Sequence, residues 1–125
     1  MQVKTDTKEK FHVITVKESS LTASMTEELT DCLMPYLQKD VKNLVLVLKE
    51  TAVVERALAQ KLIELQQSFY DGGASFVICE LQPQVEDQFD KDELLELLNV
   101  TPTESEAWDI VQMEEIEREM FGEDS

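Results

Sequence analysis

Asn43-Leu44-Val45-Leu46-Val47-Leu48-Lys49 is the stretch that decides how this chain folds. Its unbroken aliphatic run, with no polar alternation, suits a strand buried on both faces, as in a parallel sheet. A second such run, Phe76-Val77-Ile78-Cys79, lies downstream. Between them a loop, Lys49 to Glu55, leads into a helical pattern with Leu58, Leu62, Leu65 and Phe69 on one face. Gly72-Gly73 then supplies a left-handed stop. Two buried runs joined through one helix of about four turns predict a right-handed βαβ crossover. The loop that feeds the helix N-terminus is where α/β units usually place their function. Here it holds no glycine, serine or histidine.

Upstream, Gln2 to Thr7 alternates weakly and suits an edge strand, and Lys8-Glu9-Lys10 turns it. Phe11 to Val16 reads as a stronger strand, with Phe11, Val13 and Thr15 opposite His12, Ile14 and Val16. Together they predict an antiparallel hairpin. Ser24 with Glu27 three residues on forms a Ser-x-x-Glu capping box for a helix that buries Met25, Leu29, Cys32, Leu33 and Tyr36. Pro35 loosens its last turn. Downstream of Cys79, Pro83 suits the first turn of a short helix, and Asp92 to Leu98 is a compact acidic, leucine-rich turn sequence. Val100 to Thr103 is a last short strand or an extended link. Thr103 with Glu106 caps a final helix that buries Ala107, Trp108, Val111 and Ile110. In it Met113, Ile116, Met120 and Phe121 continue an apolar seam past the length this small domain needs.

At 125 residues the chain is one domain, with a core large enough to need no disulfide or metal. Cys32 and Cys79 both fall in apolar patterns and read as buried free thiols of a reducing compartment. No apolar stretch approaches the roughly 20 residues that span a bilayer, so a soluble cytoplasmic protein is expected. The formal charge of −16 is uneven: residues 80–125 carry 16 acids against Lys91 and Arg118, whereas residues 1–79 carry 11 acids against 9 Lys and Arg. That polarity argues against nucleic acid and against an anionic membrane surface, because both need clustered cations. It fits a solvated acidic face and tail, or a docking surface for a basic partner.

Catalytic and metal-binding chemistry finds little support. The one histidine, His12, lies in a strand far in sequence from either cysteine. Phosphate loops and hydrolase or zinc signatures are missing, and Asp87, Asp90 and Asp92 fail the spacing of a calcium loop. The expectation is a protein that is not an enzyme and carries no cofactor or metal.

The order hairpin, helix, strand, loop, helix, strand, helix, helix resembles the STAS domain, the family of anti-sigma-factor antagonists and of the C-terminal domains of sulfate transporters. Three segments carry the likeness: Leu21-Thr22-Ala23-Ser24 through Leu29 at the start of the first helix, Asn43 to Leu62 as the core, and Thr101-Pro102-Thr103 with Glu106-Ala107. The resemblance covers roughly residues 2–112. It implies a mixed four- to five-stranded sheet with helices packed mainly on one face, spanning residues 1–112, followed by an acidic helical extension and tail, 113–125. The family's Asp-Ser-x-Gly falls on Glu55-Arg56-Ala57-Leu58, so Arg56 stands where the family has its phosphorylatable serine. A guanidinium puts a positive charge where phosphate would put about −2. Beside a helix N-terminus Arg56 can attract a phosphate or carboxylate, or it can pair with Glu55. Thr51 is the nearest hydroxyl that could replace the lost phosphosite.

What the resemblance implies for function is a regulatory protein-binding module with a docking patch at Thr51, Glu55, Arg56, Ala57 and Leu58. The implied partner is an anti-sigma kinase or another ATPase subunit. The competing expectation is a self-associating scaffold, a homodimer assembled through the C-terminal helix and its Met113, Ile116, Met120 and Phe121 seam.

Overall fold

In the computed structural model, which describes residues 1–121, the chain alternates strands and helices around one sheet. The strands are β1 (Val3–Thr7), β2 (His12–Val16), β3 (Ser20–Leu21), β4 (Leu44–Val47), β5 (Val53–Val54), β6 (Phe76–Cys79) and β7 (Val100–Thr101). The helices are α1 (Thr26–Leu33), α2 (Arg56–Asp71), α3 (Pro83–Lys91) and α4 (Glu104–Phe121). Five strands form the main sheet in the order β1-β2-β4-β6-β7, and β3 pairs with β5 in a separate ribbon. β1 runs antiparallel to β2, and β2, β4, β6 and β7 are mutually parallel. The mixed sheet expected from the sequence is therefore present, with Val45 opposite Val77 and Leu46 opposite Ile78.

The unbroken aliphatic character of β4 has a direct cause: both of its faces are covered. Leu44, Leu46 and Leu48 enter a core with Leu29, Leu33, Leu58, Leu62, Leu65, Phe69, Val85 and Phe89, from α1, α2 and α3. Val45 and Val47 face the other way, into a second core with Phe11, Val13, Val77, Cys79, Ala107 and Val111. Three helices thus share one face of the sheet, and α4 closes the other. Trp108 of α4 stacks on Phe11 with ring centroids 4.9 Å apart. Full burial of each such aliphatic side chain contributes about 1.5–3 kcal/mol.

Several local expectations meet a different arrangement. Ser24 does not cap α1. A 3-10 turn, Ala23–Met25, comes first, the Ser24 hydroxyl pairs with that of Thr22 at 2.9 Å, and α1 begins at Thr26. Glu27 is left in the first turn, where it suits the helix dipole. Pro35 behaves as expected: α1 stops at Leu33 and gives way to a 3-10 turn, Met34–Gln38. Gly73 takes φ +79° after α2, a conformation that a side chain would strain. Thr103 caps α4 by accepting the N–H of Glu106 at 3.2 Å, and the Glu106 carboxylate takes the Thr103 hydroxyl proton rather than a backbone one.

His12 is buried and structural. Its Nε2 donates to the carbonyl of Val41 at 2.9 Å, so Nδ1 accepts from the hydroxyl of Thr7 at 3.1 Å. Near it, Asn43 ties α4 to the lower edge of the sheet. Its amide donates to the Lys10 carbonyl at 3.0 Å and to Glu115 at 2.7 Å, and its Oδ1 accepts from the Ser75 N–H at 2.8 Å and from Arg118 at 3.2 Å. α4 runs through residue 112 without a break, and Glu115 and Arg118, beyond that point, belong to this partly buried network. The expected acidic tail includes residues 122–125, which lie outside the described residues.

Candidate functional site

The loop that follows β4 lies at the C-terminal edge of the parallel strands and is held at many points. β5, in the middle of this loop, pairs in parallel with β3. The N–H of Ala52 donates to the Ser19 carbonyl at 2.8 Å, and that of Glu55 to the Leu21 carbonyl at 2.9 Å. Thr51 is fully buried, and its hydroxyl donates to the carbonyl of Glu18 at 2.8 Å. On the opposite flank Gln82, just before α3, donates to the Lys49 carbonyl at 2.9 Å. The loop is thereby a rigid ledge rather than a free connection.

Glu55 is the residue before α2, yet its carboxylate leaves that helix uncapped and accepts the N–H of Ala23 at 2.6 Å. This charge-assisted bond spans two segments 32 residues apart, and the carboxylate makes no ion pair with Arg56, one of the two alternatives the sequence left open. Arg56 opens α2, is exposed, and among the described residues takes part in no ion pair or side-chain hydrogen bond. The first backbone bond of α2 runs from Ala59 to Glu55, so the N–H groups of Arg56, Ala57 and Leu58 precede it. The guanidinium thus lies beside free N–H groups that favour an anion, with the carboxylate of Glu55 next to it.

Of the five residues expected in a docking patch, Glu55, Arg56 and Ala57 are exposed together. Thr51 and Leu58 are not at the surface, because both are fully buried beneath the loop. Leu58 is the first member of the α2 stripe that packs on the sheet, and Thr51 is spent on holding Glu18. They shape the patch from below and offer a partner no surface. Two grooves are lined by residues on either side of Arg56 in the chain. One, between β5 and α3, is lined by Ala52, Val53, Val54, Gln84, Val85 and Gln88, with Val53 half exposed. The other, between α1 and α2, is lined by Ala57 with Glu27, Asp31, Gln60, Lys61 and Glu64 among others. The α3 contribution has no local signal in the sequence, since Gln84 and Gln88 look like any solvated helix face.

The thiols are poorly placed for chemistry. Burial, with help from the carboxylates of Glu80 and Glu104, pushes the Cys79 thiol up to about 12. Burial likewise raises that of the half-buried Cys32. Alkylation of the native protein near pH 8 is expected to modify Cys32 slowly and Cys79 only after unfolding. Rapid labelling of Cys79 in mass-mapped native protein would contradict its burial. Because the Cys79 thiol stays neutral in the fold while an unfolded thiol ionises near 9, its contribution to stability is complete below pH 9 and is lost as pH rises towards 12. Among the described residues no three His, Cys, Asp or Glu side chains are grouped to hold a metal ion. No helix among them is long and apolar enough to cross a membrane.

An antiparallel edge hairpin on a parallel core, with three helices on one face and a closing helix on the other, defines a small α/β domain with a braced loop after its central strand. A family model for the STAS domain matches residues 2–107, and the chain belongs to the STAS domain family. Among solved structures it is similar to an anti-sigma factor antagonist from Mycobacterium paratuberculosis, with a TM-score of 0.75, 13% identity, and coverage of 89% of this chain and 93% of that one. It is also similar to RsbS from Moorella thermoacetica, with a TM-score of 0.71, 18% identity, and coverage of 90% and 96%. The anti-sigma factor antagonist SpoIIAA in its unphosphorylated form gives a TM-score of 0.68 at 14% identity, with coverage of 89% and 96%. No curated protein sequence matches the chain significantly.

Proposed function

We infer that this chain is a non-enzymatic regulatory binding module that docks a protein partner through the β4–α2 loop and the first turn of α2. The observation that carries this reading is Arg56: an exposed cation without an ion-pair partner among the described residues, at a helix start whose preceding loop is braced at Ser19, Leu21 and Ala23. A rigid backbone keeps the ordering cost of binding low, and a guanidinium suits bidentate recognition of a carboxylate. Val53 supplies apolar contact beside it. By family resemblance the partner is an anti-sigma kinase or another ATPase subunit. The position that accepts phosphate in the antagonists is Arg56 here, and the buried hydroxyl of Thr51 is a poor substitute. Binding is therefore not switched by phosphorylation of this loop.

The test is calorimetric titration against the purified anti-sigma kinases and related ATPase subunits of the same host, with ATP. Arg56→Glu is expected to weaken the complex about 10- to 100-fold. Intact mass after incubation with kinase and ATP is expected to show no added phosphate. Equal affinity for the native protein, Arg56→Glu and Glu55→Arg would remove the loop from the interface, and phosphate on Thr51 would restore a switch.

A further inference from the structure

The outward face of α4 carries an apolar stripe in its second half, although the helix is already packed on the sheet by its other side. Ala107 and Val111 are buried, and Arg118 turns inward to Ser75 and Asn43. Met113, Ile116 and Met120 lie on the opposite side at i, i+3 and i+7, and are 59%, 56% and 63% exposed. A solvent-facing helix side of this composition is unusual, because that side is normally charged or polar. The charged residues of α4 that border the stripe are all acidic, Glu106, Asp109, Glu117 and Glu119, and the nearest lysines of other segments, Lys10 and Lys42, share a cavity with Glu119 at one end of it. The only base of α4, Arg118, is half-buried and committed to Ser75 and Asn43.

We propose that this stripe is a second docking surface, and that its occupant is an amphipathic helix with a narrow apolar face flanked by lysine or arginine. The apolar faces exclude water, and the basic flanks meet the four carboxylates that border the stripe. Charge decides between this occupant and a second copy of the chain. Two copies set stripe to stripe bring the same carboxylates against each other with no exposed α4 cation to offset them. Like charges at such a rim cost affinity rather than adding to it. The stripe and Arg56 lie on different sides of the domain, since α4 covers the sheet face opposite α2. The module can therefore hold two proteins at once, one at each surface.

The probes are three synthetic helical peptides of about four turns. One has leucines at i, i+3 and i+7 with lysine flanks, one keeps the leucines with glutamate flanks, and one keeps the lysines with serines for leucines. Fluorescence anisotropy with the full chain should show binding of the first alone, weakening as salt rises. Replacing Met113 and Ile116 by Ser together is expected to lower that affinity at least about tenfold without moving the melting temperature, since both side chains are exposed. Arg56→Glu should leave it unchanged. Binding of the serine peptide as tightly as the leucine one, or indifference to the double substitution, would reduce the contact to non-specific charge attraction and overturn the proposal. So would a dimer of the protein alone, in sedimentation, that the double substitution dissolves.

Discussion

Asn43→Ala is expected to lower the unfolding free energy by about 2–4 kcal/mol and to loosen the second half of α4. The size follows from the number of bonds lost at one buried point. The Asn43 amide uses both donor protons, on Lys10 and Glu115, and both acceptor positions, for Ser75 and Arg118. Removing it strands the N–H of Ser75, which is 1% exposed, frees Glu115 from the sheet, and leaves Arg118 held by the Ser75 hydroxyl alone. Asn43→Asp is not expected to rescue the fold, because a carboxylate would face the Lys10 carbonyl and the Glu115 carboxylate with no proton to offer. Urea denaturation gives the stability change, and hydrogen exchange locates it. Faster exchange confined to α4 and the segment around Ser75 is the predicted signature. An unchanged midpoint would mean that the network contributes nothing.

Phe69→Ala should cost still more, about 3–5 kcal/mol, which is a large fraction of the 5–15 kcal/mol that stabilises a typical domain. Phe69 is fully buried in the last turns of α2, and its ring meets Phe76 of β6 with centroids 5.3 Å apart. Truncation leaves a cavity at the point where the helix is pressed onto the sheet. Phe69→Leu, which keeps most of the volume, should cost about 1.5 kcal/mol or less. A denaturant midpoint that falls steeply for Ala and slightly for Leu is the expected outcome. Similar small losses for both would mean that the site collapses around the smaller side chain. Because α2 also carries Arg56 at its other end, the Ala variant should lose partner binding through disorder, which circular dichroism separates from the direct effect of Arg56→Glu.

Strong local patterns translated well into elements. The runs at Leu44 and Phe76, the stripe from Leu58 to Phe69 and the stop at Gly73 are each written in consecutive or helically spaced residues. The same holds for Pro83 at the start of α3 and Thr103 at the start of α4. Weak local patterns did not. β3 and β5 have two residues each, too few for any periodicity, and exist because Ser19 and Leu21 offer carbonyls to the loop. Ser24 reads as a cap by spacing alone, but the preceding 3-10 turn moves the helix start past it. In the candidate site, the exposed cluster Glu55-Arg56-Ala57 was legible because it is contiguous. The burial of Thr51 was not, because what covers it is Glu18 and its neighbours, far back in the chain.

By itself, then, the sequence determined the strand and helix inventory, the parallel central pair, the surplus of acid in the last third and the apolar seam of α4, all properties of neighbouring residues. Only the tertiary structure decided that α4 closes the second face of the sheet, that Glu55 turns to Ala23 and leaves Arg56 without an ion pair among the described residues, and that Asn43, Ser75, Glu115 and Arg118 meet. The physical reason is range. Hydrophobic periodicity is imposed within a few residues by helix and strand geometry, whereas a buried polar group takes whichever partner the packed fold brings within about 3 Å, however distant in the chain.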